Sequence, residues 1–417
     1  MTRLWVTTSA VFLAIAASVT PTLTAGAANS HANYHAVCPS ANQGYARCNS
    51  QVVTNGQGNP ATNTSPVGYG PAQFQGAYSL SGLGVTQSYA GTNVPQPTIG
   101  IVDAYDDPNA ESDLAHYSTQ FSPPLPACTT ANGCFKKVNQ NGGTSYPRKD
   151  AGWALEISLD VQTAHAICPY CKILLVEASS NSFANLFAAE DYATGKDPTT
   201  NKPRASVVSN SWGGGEFSQE TGSSYDGHFN RPGVPITVSS GDSGFGVEYP
   251  AASQYVTAVG GTTLSLNGTT WSGETVWGGS GSGCSAYEPK PSWQLDGGCG
   301  QRTVADVAAD ADPNTGAAVY DTVSYQGQTG WFHVGGTSLA SPLIASIYAL
   351  SGNGSSTKYG SYPYSAVSYN NTPNMHDVTR GTNVPSTSTN CGTYLCNAGT
   401  GYDGPTGLGT PIGTGAF

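Results

Sequence analysis

The sequence predicts an α/β fold, with a single domain built on a largely parallel central sheet that is flanked by helices. Short apolar runs typical of strands alternate with segments whose apolar residues recur at helical spacing. This alternation implies parallel strands that are covered on both faces. With 53 glycines and 10% charged residues in 417, the composition indicates a loop-rich globular protein and excludes a helical bundle.

Strands and helices are predicted in alternation from residue 98 onward. The strands cover residues 98–103, 172–176, 206–210, 234–239 and 255–259. The helices cover residues 150–167, residues 183–192, and a run that begins near Ser338 and ends at Gly352. Asp150 is the predicted N-cap of the first of these helices. Functional residues are expected at the carboxyl ends of the strands, where sites gather in parallel sheets.

The first 27 residues are predicted to be a secretory signal peptide. Arg3 precedes an apolar run at 11–17, and Ala25-Gly26-Ala27 offers a small-residue cleavage site. Residues 28–67 are expected to be an extended lead-in, and residues 68–417 a single compact domain. No later segment is long and apolar enough to span a bilayer, so we expect a secreted, extracellular protein without a membrane contact.

The ten cysteines agree with export because disulfides persist in oxidising compartments. They fall in five close pairs: Cys38 and Cys48, Cys128 and Cys134, Cys168 and Cys171, Cys284 and Cys299, Cys391 and Cys396. Local pairing into five disulfides is the simplest prediction, although spacing alone does not fix the connectivity. The Cys168-Pro169-Tyr170-Cys171 spacing also occurs in redox motifs, but without a thioredoxin pattern around it a structural bridge is favoured.

The charge balance excludes nucleic acid as a partner. Lys and Arg number only 15 against 26 Asp and Glu, which gives a net charge of −11. Scarce basic residues also limit charge repulsion when the carboxylates are protonated. The composition is therefore compatible with an acidic working environment.

The segment Gly335-Gly336-Thr337-Ser338-Leu339-Ala340-Ser341-Pro342 is the candidate nucleophile site. Pro342 is expected in the first turn of the following helix, where its missing N–H costs little. Ser338 then lies at or just before a helix N-terminus, where partial positive charge stabilises developing negative charge. A plain N-cap is the alternative interpretation from this segment alone.

Three carboxylates are candidates for the rest of the site. Glu156 and Asp160 are four residues apart and share one helix face, where they can share a proton and serve as base and partner for a serine. Two solvated surface carboxylates are the alternative. Asp242, in Ser-Gly-Asp-Ser-Gly after a strand, can donate a hydrogen bond to an oxyanion when protonated, or it can be an Asx-turn residue.

Taken in order, these motifs make the chain resemble the sedolisins, the serine-carboxyl peptidases, which have a subtilisin-like fold. The matching segments are GGTSLASP, SSGDSG and the Glu-x-x-x-Asp helix, and they extend over most of residues 68–417. The resemblance implies that Ser338 is the nucleophile, Glu156 the general base and Asp160 its partner. It implies Asp242 as the oxyanion residue. Protein or peptide substrates, endopeptidase action through an acyl-enzyme, an acidic pH optimum and a monomer are then expected.

The resemblance also implies one structural Ca²⁺ ion in the C-terminal tail. Its ligands would be the carboxylates of Asp377 and Asp403 and the backbone carbonyls of Val378, Gly399 and Gly401, all hard oxygen donors. Ordinary tight turns are the alternative without the family pattern. A second acidic cluster, formed by Asp306, Asp310 and Asp312, is expected to be structural.

Two alternatives remain open at this point. The first is a neutral subtilisin-like protease with a Ser-His-Asp triad, for which Asp103, His165 and His333 are the residues to consider. The second is a secreted, non-catalytic binding or structural protein on a peptidase fold. Sedolisins usually carry a long folded propeptide, which residues 28–67 are too short to form. The chain is then either a peptidase that folds without such a prodomain, helped by its disulfides, or an inactive or specialised relative.

Overall fold

A computed structural model of the chain describes residues 1–2, 33–83, 96–366, 373–384, 388 and 390–417. The predicted signal peptide falls mainly on residues 3–32 and so lies outside the described residues. The helices are α1 (Pro71–Ala77), α2 (Ala110–Thr119), α3 (Ala151–Ile167), α4 (Phe183–Thr194), α5 (Thr337–Ser351) and α6 (Ser361–Ala366). The strands before residue 240 are β1 (Tyr34–Ala36), β2 (Arg47–Cys48), β3 (Gln51–Val53), β4 (Thr62–Asn63), β5 (Thr98–Ala104), β6 (Phe135–Asn139), β7 (Lys172–Ala178), β8 (Val207–Asn210), β9 (Trp212–Gly215) and β10 (Ile236–Ser239). The later strands are β11 (Glu248–Tyr249), β12 (Thr257–Asn267), β13 (Thr270–Val276), β14 (Gly283–Pro289), β15 (Gln301–Val304), β16 (Val307–Asp310), β17 (Ala317–Tyr325), β18 (Gln328–Gly335), β19 (Met375–His376) and β20 (Thr410–Pro411).

The central sheet has eight strands and confirms the predicted largely parallel α/β architecture. Its order is β13-β12-β10-β8-β5-β7-β6, and β16 also pairs with β12, on the side away from β10. All neighbours run parallel except β12 and β13. Every residue of β8 and β10 is buried, so these two strands are covered on both faces.

The helices cover both faces of this sheet, as the alternation along β5 shows. Successive strand residues point to opposite faces. A side chain at Gly100 would meet Ala193 of α4, whereas Asp103 interacts with carboxylates of α3 on the other face. Helix α5 packs beside α3, and Ser346 of α5 donates a hydrogen bond to the Ala164 carbonyl at 3.5 Å.

Helix α3 begins as predicted, because the Asp150 side chain accepts hydrogen bonds from the N–H groups of Gly152 and Trp153 at 3.1 and 3.2 Å. Its residues from Trp153 to Ile167 are all buried. Glu156 and Asp160 are fully buried among them, so the alternative of two solvated surface carboxylates is wrong. Burying two acids in one helix is costly, and this points to a use for them.

Helix α5 corrects the predicted place of Pro342. The helix begins at Thr337, so Pro342 lies in the second turn and not in the first. Proline has no N–H to bond the carbonyl four residues earlier, which is that of Ser338. The Ser211 hydroxyl donates to this carbonyl at 3.2 Å instead. Gly352 ends the helix in the left-handed conformation, as expected.

The part of the predicted lead-in that the structure describes is paired with the domain and belongs to the same compact unit. Strand β1 pairs with β3, and β3 and β4 both pair with β18. Strand β2 pairs with β9, which directly follows the sheet strand β8. Residues 34–63 are thus integrated into the fold by four short strands.

All five predicted disulfides are confirmed: Cys38–Cys48, Cys128–Cys134, Cys168–Cys171, Cys284–Cys299 and Cys391–Cys396. The Cys168–Cys171 bridge closes the turn between α3 and β7. Across the described ranges, no helix is long and apolar enough to cross a membrane.

Candidate active site

The candidate site lies where the carboxyl ends of three neighbouring sheet strands meet the helices α3 and α5. Asp103 is next to last in β5, Ser211 follows β8, and Asp242 follows β10 by three residues. Because β5, β8 and β10 are adjacent in the sheet, these residues come together at one edge. Helix α3 adds Glu156 and Asp160 to this edge, and α5 adds Ser338.

Ser338 is the second residue of α5 and is fully buried. Its hydroxyl donates a hydrogen bond to the Ser211 carbonyl at 3.1 Å, and the Ser211 hydroxyl returns a bond to the Ser338 carbonyl. Its backbone N–H donates to the Asn49 carbonyl at 2.8 Å. Asn49 and Ser211, which directly follow β2 and β8, therefore fix the orientation of this serine, and its N–H faces a carbonyl oxygen at the positive end of the helix.

Glu156, Asp160 and Asp103 form a fully buried acidic cluster beside Ser338. Burial, followed by the charge of Asp103, raises the pKa of Glu156 well above its usual 4.5, while the nearby hydroxyls of Ser338 and Ser50 oppose the increase. Burial, together with the charges of Asp103 and Glu156, raises the pKa of Asp160. Burial raises the pKa of Asp103 to about 8. The cluster therefore holds protons well above pH 4 in this state.

From the sequence, Asp103 is considered for a Ser-His-Asp triad and is not among the predicted residues of the serine-carboxyl site. The structure makes it the third member of the cluster. The sequence feature that points to Asp103 is a carboxylate at the carboxyl end of an otherwise apolar parallel strand. Burial at that position excludes a surface role. The sequence also does not show how completely the cluster is covered, and burial is the first cause of the raised pKa of Glu156.

Asp242 is held against the start of α5. Its Oδ1 accepts hydrogen bonds from the backbone N–H and the hydroxyl of Thr337, both at 2.8 Å, and its Oδ2 accepts one from Gln51 Nε2 at 3.0 Å. Burial raises the pKa of Asp242 to about 7, and these three bonds limit the increase. The carboxyl group is therefore protonated across the acidic range.

Gly336 permits the close approach of these groups. It has φ +102°, and a Cβ on it would lie 2.6 Å from Asp242 Oδ2 and 2.3 Å from the Asn49 carbonyl oxygen. Both distances are far shorter than side-chain packing allows, so this position requires glycine. The same numbers show that Asp242 Oδ2 and the Asn49 carbonyl converge on one point beside the Ser338 N–H.

The two histidines considered for a Ser-His-Asp triad bond elsewhere. His165 is paired through Nε2 with the Pro126 carbonyl at 2.8 Å, and burial lowers its pKa to about 4. His333 is paired through Nε2 with the Gly316 carbonyl at 3.1 Å. Neither arrangement gives Ser338 an imidazole base, whereas Glu156 lies beside its hydroxyl.

Residues 44–54, here named the covering segment, lie across the site and were not predicted to be there. Asn49 and Gln51 contact Ser338 and Asp242, as described above, and Ser50 lies beside Glu156. The segment has only short strands and no periodic pattern, so nothing in the local sequence marks its destination. The nearest signal was the predicted disulfide at Cys48.

The tail residues implied as calcium ligands lie in two stretches of the chain, which a hydrogen bond joins. The N–H of Gly401 donates to Asp377 Oδ2 and the N–H of Gly399 to Asp403 Oδ2, both at 3.0 Å. Burial mainly, with the Asp377 charge adding to it, raises the pKa of Asp403 to about 7. Within the described residues no three His, Cys, Asp or Glu side chains gather to hold a metal, so most ligands would be backbone oxygens, including that of Val378. Two facing carboxylates on a glycine loop fit a hard cation such as Ca²⁺.

The carboxylates of the second acidic cluster bond neighbouring side chains. Arg302 binds both oxygens of Asp306 at 2.7 and 2.5 Å, and both side chains are fully buried. Asp310 accepts a hydrogen bond from the Thr315 hydroxyl at 2.7 Å. Asp312 accepts one from the Thr263 hydroxyl at 2.8 Å. These bonds join β16 and its loops to their neighbours.

Comparisons with known proteins agree with this geometry. The profile of the subtilase family matches residues 139–380. Kumamolisin from Bacillus sp. (strain MN-32) is 33% identical over 336 residues, covering 73% of this chain and 56% of that protein. Sedolisin from Pseudomonas sp. (strain 101) is 38% identical over 210 residues, covering 43% and 33%. Xanthomonalisin from Xanthomonas sp. (strain T-22) is 27% identical over 385 residues, covering 77% and 44%.

A solved structure is similar over most of the fold. It is Pseudomonas sedolisin, a serine-carboxyl proteinase, complexed with two molecules of pseudo-iodotyrostatin. The TM-score is 0.66 at 28% identity, and the match covers 84% of this chain and 96% of that one. The chain spans a third to just over half of the length of the relatives it matches. Because the family profile covers more than half of the chain and the fold matches that of a solved sedolisin, the chain belongs to the sedolisins, within the subtilase family of serine-type peptidases.

Proposed function

We propose that this protein is a secreted, acid-active serine-carboxyl peptidase that hydrolyses peptide bonds in proteins through an acyl-enzyme. The observation that carries the proposal is the position of the Ser338 hydroxyl beside the Glu156 carboxyl, at the N-terminus of α5. This pairs a nucleophile with a base at a place where developing negative charge is stabilised.

Each polar group has a role in acyl transfer. Ser338 Oγ attacks the substrate carbonyl carbon while Glu156 accepts its proton, and Asp160 orients Glu156 and shares protons with it. The Ser338 N–H and the protonated Asp242 donate hydrogen bonds to the oxyanion. Glu156 then returns the proton to the leaving amine, and a water molecule hydrolyses the ester by the same steps.

The ionisation of two groups sets the working pH. Glu156 must be ionised to accept a proton, whereas Asp242 must be protonated to donate a hydrogen bond to the oxyanion. Burial keeps Asp242 protonated up to about pH 7. Glu156 ionises more readily once water or substrate replaces the covering segment, because burial is the main cause of its raised pKa. Activity is therefore expected on the acidic side of neutrality.

A structural Ca²⁺ ion is also proposed, held by Asp377, Asp403 and backbone oxygens of Val378, Gly399 and Gly401. When bound, the ion would offset the repulsion between the two carboxylates and fasten the tail loop. Secretion is supported by the five disulfides, which are stable in oxidising compartments.

Cleavage of a denatured, alkylated protein at about pH 3–5, the acidic window of a carboxylate-based site, in the presence of pepstatin, tests the proposal. The wild-type chain is expected to produce internal fragments, and Ser338→Ala is expected to produce none. Ser346→Ala is the matched control, because it removes a buried hydroxyl from the same helix that bonds only backbone carbonyls. Equal behaviour of wild type and Ser338→Ala would instead favour a binding protein on a peptidase fold.

A further inference from the structure

One edge of the central sheet brings a lysine and two acids together. Strands β5, β7 and β6 are neighbours in the sheet, with β6 at its edge. Asp106 follows β5 by two residues, Glu177 is next to last in β7, and Lys137 is the middle residue of β6. The N–H of Asp106 donates to the Arg148 carbonyl at 3.1 Å, which fixes this residue beyond the end of its strand. Three neighbouring strands therefore hold these side chains in one place.

The Lys137 amine lies against one carboxyl group and close to the other. Its Nζ donates to Asp106 Oδ1 at 2.6 Å and lies 3.4 Å from Glu177 Oε1. The backbone of Asp107 spaces these groups, because its carbonyl accepts from Lys137 Nζ at 2.8 Å and its N–H donates to Glu177 Oε1 at 3.0 Å. Glu177 also bonds the Asp106 side chain. The amine is thus held beside one carboxyl group, and a second carboxyl group contacts both.

Water is largely excluded from these three side chains. Those of Lys137 and Asp106 are each 13% exposed, and that of Glu177 is fully buried. The Tyr146 ring covers the amine, with its centroid 4.2 Å from Nζ. Burial, opposed by the Lys137 charge, raises the pKa of Glu177 to about 9. Glu177 is therefore an uncharged acid at neutral pH, and it can give and take back a proton at this place.

The ion pair becomes a reactive pair when one proton moves. Burial lowers the pKa of Lys137, but the charges of Glu177 and Asp106 raise it more, so the amine is protonated in the ion pair. Transfer of one proton across the 2.6 Å contact gives an uncharged amine and an uncharged carboxyl group. Burial disfavours charged forms, which lowers the cost of this transfer. Groups held in contact also react with effective molarities of about 10⁵–10⁸ M, far above any concentration in solution.

We propose that Lys137 and Asp106 condense to an intramolecular isopeptide bond, with Glu177 as the acid that transfers protons between them. Nζ bonds to Asp106 Cγ, and one carboxyl oxygen leaves as water. Of the three ammonium protons, one stays on the amide nitrogen and two leave with that oxygen. Glu177 gives a proton to the departing oxygen and takes one from Nζ, so it ends as it began. The reaction removes one positive and one negative charge together and needs no co-reactant.

A second lysine–aspartate pair provides an internal comparison. Lys290 Nζ lies 2.7 Å from Asp296 Oδ1, and these side chains are 17% and 5% exposed. The partners of Asp296 Oδ2 are the hydroxyls of Thr303 and Tyr394. A hydroxyl is a far weaker acid than a carboxyl group, so these partners do not transfer protons as Glu177 does. Lys290 and Asp296 are therefore expected to remain an ion pair, although their contact is nearly as short.

The isopeptide bond adds a covalent constraint of longer range than the disulfides provide. It links residues that are 31 apart in the chain, with α2 between them. The five disulfides link residues that are 3 to 15 apart. Closing a longer loop removes more freedom from the unfolded chain. The bond also fastens the edge strand β6 to the loop that follows β5, and it is expected to resist both heat and denaturant.

The test measures the mass of the full-length Ser338→Ala chain, a variant chosen to prevent self-digestion. After folding at neutral pH and full reduction of the disulfides, its mass is expected to be lower than the sequence requires by one water molecule. Trypsin is expected to release residues 137–148 joined to the peptide that carries Asp106, with no cleavage after Lys137. Lys290 and Asp296 are expected without a cross-link in the same digest. A chain isolated and kept in denaturant is expected to have the full mass.

Two further variants separate the covalent bond from the ion pair. Lys137→Arg keeps a cation beside Asp106, but a guanidinium group remains charged and does not attack a carboxyl carbon, so the full mass is expected. Glu177→Gln keeps the size of the side chain and removes its transferable proton, so the bond is expected to form on the order of a hundredfold more slowly. Thermal unfolding of each variant verifies that it is folded. A role of Glu177 in stability alone would leave the mass unchanged.

The outcomes are distinct from those that test the proposed function. The full mass in the folded parent chain after prolonged incubation would overturn the inference and leave Lys137 and Asp106 as an ion pair. The same loss of water in Lys137→Arg would also overturn it, because the water would then come from another residue. An equal rate of bond formation in Glu177→Gln would overturn the role of Glu177. The peptidase proposal is tested separately, by digestion of added protein.

Discussion

Replacement of Glu190 by Gln is expected to protect the fold against alkaline pH. The Glu190 side chain is fully buried in α4, and neither of its carboxylate oxygens has a hydrogen bond of normal geometry. Burial raises its pKa from 4.5 to about 8, while Asn210 and Arg231 oppose the increase. Glu190 lies outside the candidate site, so its replacement tests the electrostatics of the fold without touching catalysis.

The sign follows from proton binding in the two states. Between pH 4.5 and about 8 the folded chain holds a proton on Glu190 that the unfolded chain has released. Unfolding then releases a proton, so the free energy of unfolding falls as the pH rises through this window. At about 1.4 kcal/mol per pKa unit, the full shift corresponds to about 5 kcal/mol, compared with about 5–15 kcal/mol for a typical protein.

The assay is denaturant unfolding at pH 5 and pH 8, in the Ser338→Ala background to prevent self-digestion. Glu190→Gln is expected to match its parent at pH 5 and to exceed it by several kcal/mol at pH 8. Glu111→Gln is the matched control, because Glu111 is a helical residue near the surface whose carboxylate bonds Thr130. Equal losses of stability from pH 5 to pH 8 in Glu190→Gln and its parent would refute the reasoning.

The same direction holds for other fully buried acids whose pKa values rise to about 8 or 9, mainly through burial. They are Asp103, Glu177, Glu220, Glu288 and Asp321. Each adds stability below its unfolded pKa and loses it as the pH rises through its folded value. The fold is thus expected to be most stable in acid, which agrees with the proposed working range.

Asp242→Asn replaces the carboxyl group by an amide that cannot ionise. The kcat/KM of wild type is expected to fall tenfold per pH unit above about pH 7, whereas that of the variant is not. The same fall in both pH–rate profiles would contradict the oxyanion role. EGTA is expected to lower the Tm of Ser338→Ala by several degrees and to leave Asp377→Asn unaffected, because only an ion bound to the folded state stabilises it; an unchanged Tm in Ser338→Ala argues against calcium. Arg302→Met is expected to lower the free energy of unfolding by about 3–5 kcal/mol in denaturant titrations at neutral pH, because it leaves the buried Asp306 carboxylate without its partner. A loss below about 1 kcal/mol, the value of an exposed pair, would show that Asp306 is solvated.

The short-range features of this protein are determined by the sequence alone. Asp150 and Gly352 bound their helices as predicted, because capping depends on residues within one turn. The cysteines pair with their nearest neighbours along the chain, and the apolar runs become the parallel strands. The ordered motifs around Ser338, Glu156 and Asp242 were enough to identify the family.

Only the tertiary structure decided how these residues are charged and covered. The Glu156 pKa depends on Asp103, Ser50 and the exclusion of water, which come from segments far away in the sequence. Strands of two or three residues, such as β2 and β3, have no periodicity from which their partners could be read. Burial and long-range pairing are properties of the whole packed chain, and for that reason the segment that covers Ser338 could be found only in the folded molecule.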